Sequence, residues 1–139
     1  MLSVSPDLDH LTAAISHATA PAFMLGAVAA FLSVLVTRME RINDRVRAIR
    51  AKSGDGGSDE ISAALAHRIA FLNRAIYFAV LSGLCTAALL IVAFAFALLG
   101  LSHTTGVAIM FIVALILLMS SLVEFTREVR MSLRTMHLD

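Results

Sequence analysis

The chain has 139 residues, of which 59% are hydrophobic and 15% charged, with a mean hydropathy of +0.87. A soluble domain carries about 45–50% apolar and about 25% charged residues, so this composition excludes a water-soluble fold and requires lipid to cover the excess apolar surface. A lone cysteine, Cys85, excludes an intramolecular disulfide and a CxxC site, and the net charge of +1 conceals a very uneven distribution of basic residues.

The length suits one domain, 1–139. The N-terminal stretch has no Lys or Arg before Arg38 and carries Asp7 and Asp9. A secretory signal needs a basic start, so this segment is expected to be retained. Ser5-Pro6-Asp7 reads as a helix start, with Ser as N-cap and Pro at the first position. Leu8, Leu11, Ile15 and Ala18 then share a side, which predicts a short amphipathic helix, 6–18, in the membrane interface.

The first span is expected at 20–37, with Pro21 near its start, where a missing N–H is tolerated. It carries no charge from Ala22 to Thr37, and the helix should continue without a break to Lys52. One face holds small and polar residues at three- and four-residue steps: Ser16, Thr19, Ala22, Gly26, Ala30, Ser33, Thr37, Glu40 and Asp44. The other faces carry Phe23, Leu25, Phe31, Leu32 and Leu35, which suit lipid.

Residues 38–74 predict an antiparallel hairpin standing about 20 Å off the membrane. Met39, Ile42, Val46 and Ile49 form an apolar stripe on its first arm, and Ile61, Leu65, Ile69, Leu72 and Ile76 form one on its second. The turn is Ser53-Gly54-Asp55-Gly56-Gly57-Ser58, with Ser58 as the next N-cap. The second span is 75–99, where Ala75, Ala79, Gly83 and Ala87 recur every four residues and permit close helix approach in lipid. A tight return at 100–106 leads into a third span at 106–123, and a charged helix, 124–136, follows. The expected fold is therefore an all-α membrane protein with three transmembrane helices, extended on one side as the hairpin and the C-terminal helix.

All eleven basic residues lie in two places, eight from Arg38 to Arg74 and three from Arg127 to Arg134. Basic loops stay in the cytoplasm, which puts the N-terminus outside and the hairpin and C-terminus inside.

Three blocks resemble a known family. They are Thr37-Arg38-Met39-Glu40-Arg41-Ile42-Asn43-Asp44-Arg45, Arg68-Ile69-Ala70-Phe71-Leu72-Asn73-Arg74-Ala75-Ile76, and Phe125-Thr126-Arg127-Glu128-Val129-Arg130. The first is similar to the NR-x-x-RI-x-DR signature of small bacterial membrane proteins grouped as domain of unknown function 2721, with Thr37 standing where that family has Asn. The resemblance runs from about Ala18 to Met136 and implies a three-span prokaryotic architecture in the bacterial inner membrane. It implies no activity.

The residues offer no catalytic constellation and no phosphate loop, so an enzyme is not expected, nor is a cofactor or a nucleic-acid partner. His10 and His17 are two turns apart, about 10 Å, too far to share one ion within a single chain, and no metal site is expected. His67 and His103 read as solvated. Arg38, Arg41 and Arg45 suit anionic headgroups, and Arg74 can snorkel at the mouth of the second span. Glu124 should pair with Arg127 or with a basic residue of a neighbouring chain.

The stripe on the first span has two readings. In one, Gly26, Ala30 and Ser33 pack against another helix, as do Ala79, Gly83 and Ala87 of the second span. In the other, Gly26, Ala30, Ser33 and Thr37 line a pore, with Glu40 and Asp44 forming acidic rings at its inner mouth. Three spans cannot enclose a pore, so the second reading needs several chains. The leading expectation is a homo-oligomeric, cation-preferring channel. The rival is a non-conducting scaffold whose basic helices bind anionic lipid or a soluble protein.

Overall fold

The computed structural model describes residues 6–52, 59–100 and 104–136. Three helices account for nearly all of them: α1 (Pro6–Lys52), α2 (Asp59–Leu99) and α3 (Thr104–Met136). No strand occurs among the described residues. At the standard rise, α1 is about 70 Å long, more than twice the hydrocarbon thickness of a bilayer. Each helix contains a stretch long and apolar enough to cross a membrane, and few side chains in those stretches are buried within the isolated chain. An exposed apolar surface of this kind is what a multi-pass membrane protein presents to lipid.

The helix expected at 6–18 is the first part of α1, which runs unbroken through Pro21. Pro21 therefore lies inside a helix and not at its start. It removes one backbone N–H, so the carbonyl of His17 lacks its usual partner four residues on. Helices in membranes tolerate this where neighbours and local adjustments meet the freed group. Ser5, the inter-arm turn 53–58 with Ser58, and the residues 101–103 of the second return, including His103, lie outside the described residues, as does the side chain of Ile61. Gly100 closes α2 with φ = 66°, the left-handed conformation that glycine adopts without steric cost.

α2 is the central helix: it packs along both α1 and α3, while α1 and α3 approach each other at few places. The buried residues recur at seven-residue steps. On α1 the series is Pro21, Val28, Leu35 and Ile42, with Met24 beside it; on α2 Leu65, Leu72, Ala79 and Thr86 with Ala75, Ser82 and Leu89; and on α3 Ala114, Ser121 and Glu128, with Glu124 beside it. This is the recurrence of helices crossing at about 20°, with side chains of one seated between those of the next. It sets the register of both antiparallel pairs. Gly83 of α2 faces Val28 of α1, while Ile42 meets Leu65 and Leu72 farther along.

The arms of the hairpin meet as expected. Ile42, Leu65 and Leu72 form a buried cluster, flanked by Met39, Val46, Ile49 and Ile69. Within the spans, α2 and α3 are joined by hydroxyls. Ser121 donates to the Ala75 carbonyl at 2.6 Å, and Ser82 donates to the Ala114 carbonyl at 2.8 Å. Both serines are fully buried, so these bonds satisfy polar groups that neither lipid nor water reaches.

Candidate functional site

The most constrained polar site lies at the basic end of the bundle, where all three helices meet. Glu128 of α3 is fully buried. Its Oε2 accepts from Arg38 Nη1 of α1 at 2.7 Å, and its Oε1 accepts from Arg68 Nη2 of α2 at 3.0 Å. Arg68 also donates to Ser132 at 2.8 Å. A buried carboxylate is costly unless charged donors surround it, and here two guanidinium groups do so. Arg38 lies 5.2 Å from the Phe125 ring centroid, and Phe125 meets Phe31 edge-to-face at 5.5 Å. Aromatic and ionic contacts thus bind α1 to α3 at the level where the spans end.

Neither Glu128 nor Arg68 stands out in the sequence as a site residue, and Arg38 reads there as a headgroup ligand. Within the chain, Arg38 donates Nη1 to Glu128 and lies over Phe125, while its side chain stays 39% exposed. A signal was available. Ala114, Ser121 and Glu128 share one seven-residue series, so following the buried face of the third span past its apolar end arrives at Glu128.

The stripe of α1 lies opposite this site. Ser16, Thr19, Ala22, Gly26, Ala30, Ser33, Thr37, Glu40 and Asp44 are all exposed. On a helix they centre about 180° from the series Pro21, Val28, Leu35, Ile42 that faces α2. A Cβ built at Gly26 meets nothing within 4 Å, so Gly26 packs against no helix of its own chain. At Gly83, by contrast, a Cβ would lie 3.3 Å from Val28 Cγ1. Gly83 and the fully buried Ala79 serve contacts between α1 and α2, and Ala87 is half-buried. The Thr37 hydroxyl donates to the Ser33 carbonyl at 2.8 Å, which meets its need within the helix.

Arg41 and Arg45 are exposed on the outer side of the hairpin, and Arg74 is exposed where α2 enters its span. Glu124 is buried, with Oε1 3.6 Å from Arg127 of the same helix, while its Oε2 has neither a hydrogen-bond partner nor solvent. His67 is exposed, its ring 6.3 Å from that of Phe71. Cys85 is half-buried near the Met110 carbonyl. The side chains of Asp7 and His10 lie outside the described residues. Among the described residues, no three His, Cys, Asp or Glu side chains gather as metal ligands.

No curated protein and no solved structure matches the chain significantly. Residues 18–138, which take in α1 from Ala18 onward, all of α2 and α3, and the Arg38–Arg68–Glu128 cluster, match the family model described as protein of unknown function (DUF2721), and the chain belongs to that family.

Proposed function

We propose that the protein is a homo-oligomer of the bacterial inner membrane that conducts small cations along an axis lined by the outer stripe of α1, and that it is not an enzyme. The observation that carries this reading is the exposure of the whole stripe from Ala22 to Asp44, on the side of α1 turned away from α2. A helix face destined for lipid has no need of Ser33 and Thr37 in its span. A face shared among copies of one chain accommodates them beside Gly26 and Ala30. Glu40 and Asp44 continue the stripe one and two turns past the span, and repeated around an axis they concentrate negative potential at its mouth. The eleven basic residues lie at that same end of the bundle, and the usual charge rule supports a cytoplasmic placement for it.

A second reading has its own support. Arg41, Arg45, Arg47, Arg50 and Lys52 are exposed along α1 beyond the span, a basic surface suited to anionic lipid or an acidic partner protein. Flux measurements on purified protein in liposomes separate the two. Cation flux above that of empty liposomes supports conduction. Folded oligomer without flux across pH and voltage leaves the scaffold.

A further inference from the structure

The side of α2 and α3 that does not face α1 carries a groove of about 500 Å³. Its walls are Phe78 of α2 with Ile112, Ile116 and Met119 of α3, and its basic end is formed by Arg74 and Glu124. From Ile112 to Glu124 is twelve residues, about 18 Å along a helix axis, close to the thickness of one hydrocarbon leaflet. The three α3 wall residues are exposed, so the groove opens toward the surface that lipid covers. Its apolar floor is thus as deep as an acyl chain, and its two charges stand where a headgroup would lie.

Those charges are weakly engaged within the chain. Arg74 makes no ion pair among the described residues. Glu124 is held only by the long contact to Arg127, and its Oε2 is buried without a partner. One cation and one carboxylate at the same mouth complement a zwitterion better than an anion. The carboxylate repels a net negative headgroup, and a carboxylate is best met by a charged N–H donor, which a quaternary amine lacks. We infer that this groove holds an acyl chain of a phospholipid whose headgroup carries a primary ammonium, with the phosphate on Arg74 and the ammonium on Glu124. The inference is independent of conduction, since it concerns the opposite side of the molecule from the α1 stripe.

The chain has no tryptophan, so a single reporter can be read without background. Phe78→Trp places one in the groove, and Phe94→Trp places one on exposed α2 surface away from it. Each full-length variant is reconstituted with brominated phosphatidylethanolamine, phosphatidylglycerol or phosphatidylcholine of identical chains, and quenching gives relative binding. In Phe78→Trp the ethanolamine lipid should bind about two- to fivefold more strongly than the other two, the range expected of a partly exposed charge pair. Phe94→Trp should show no preference. Adding Glu124→Gln to Phe78→Trp should abolish the preference while quenching persists, and adding Arg74→Gln should weaken all three phospholipids. Equal quenching by all three headgroups would mean ordinary annular lipid and overturn the inference. A preference for phosphatidylglycerol would overturn it in favour of Arg74 acting alone on anions. Absence of quenching at Phe78→Trp alone would assign the groove to a second copy of the chain and overturn it as well.

Discussion

Arg38 and Glu128, ninety positions apart in the chain, meet at 2.7 Å with the carboxylate fully buried. This contact joins the outer helices α1 and α3, which otherwise approach each other at few places, and Arg68 ties the same carboxylate to α2. One acidic side chain therefore fixes the relative position of three helices where they leave the spans.

Removing that acid should be the most damaging single polar change in the protein. Glu128→Ala leaves Arg68, four-fifths buried, beside Arg38 without a counter-charge, and should cost about 3–5 kcal/mol. Replacing all three charges at once, with Arg38→Met, Arg68→Met and Glu128→Leu, should recover most of the loss, because apolar side chains need no such compensation. Thermal unfolding in a fixed detergent measures both. Equal loss in the single and triple variants would show that packing, not charge, holds the site.

Gly26 and Gly83 look alike in the sequence and should behave differently. Gly83→Leu drives a side chain into Val28, already 3.3 Å from a Cβ, and should separate α1 from α2 and lower stability by about 1–3 kcal/mol. Gly26→Leu meets nothing in its own chain and should leave monomer stability unchanged. If the outer stripe packs against other copies, it should instead reduce the oligomer mass seen by native mass spectrometry. An unchanged mass in a well-folded Gly26→Leu variant would remove the stripe as an assembly surface.

The hydroxyls sort in the same way. Ser121→Ala removes the buried bond to the Ala75 carbonyl and should cost about 0.6 kcal/mol, the typical value between membrane helices. Ser33→Ala is exposed and should cost nothing measurable in the folded chain. A penalty at Ser33 as large as that at Ser121 would mean that Ser33 is covered in the assembled protein.

Much of this architecture was legible in the residues. The three spans follow from charge-free length, and the hairpin follows from the meeting of Met39, Ile42 and Val46 with Leu65, Ile69 and Leu72. Both are local patterns, readable one helix at a time. The Arg38–Arg68–Glu128 cluster was not legible in that way. Its members lie on three helices, and their meeting depends on the registers of two antiparallel pairs, each set by contacts such as Gly83 against Val28. Pro21 misled because proline marks helix starts in water, whereas this helix continues through it, as helices in membranes tolerate.

Orientation is testable by chemistry. On a Cys85→Ala background, a cysteine replacing Gly56 should resist an impermeant thiol reagent in intact cells and react after permeabilisation, because basic segments flank that position. Labelling in intact cells would reverse the orientation, and with it the side of the membrane on which the acidic stripe ends.

Conduction is the prediction with most at stake. Glu40 and Asp44 are exposed on α1 in line with Thr37 and Ser33, while Arg41 and Arg45 stand about 100° around the helix from them. An axis facing Glu40 and Asp44 can therefore leave the arginines free to pair with neighbouring chains. Liposomes containing the oligomer should pass small cations in preference to chloride. Glu40→Gln with Asp44→Asn should weaken that preference without dispersing the oligomer, since neither side chain supports the fold of a single chain. Ser33→Leu adds bulk to a narrow face and should lower the flux itself. Flux that prefers chloride would mean that Arg41 and Arg45 line the axis, and that α1 is turned by about a quarter of its circumference from the arrangement proposed.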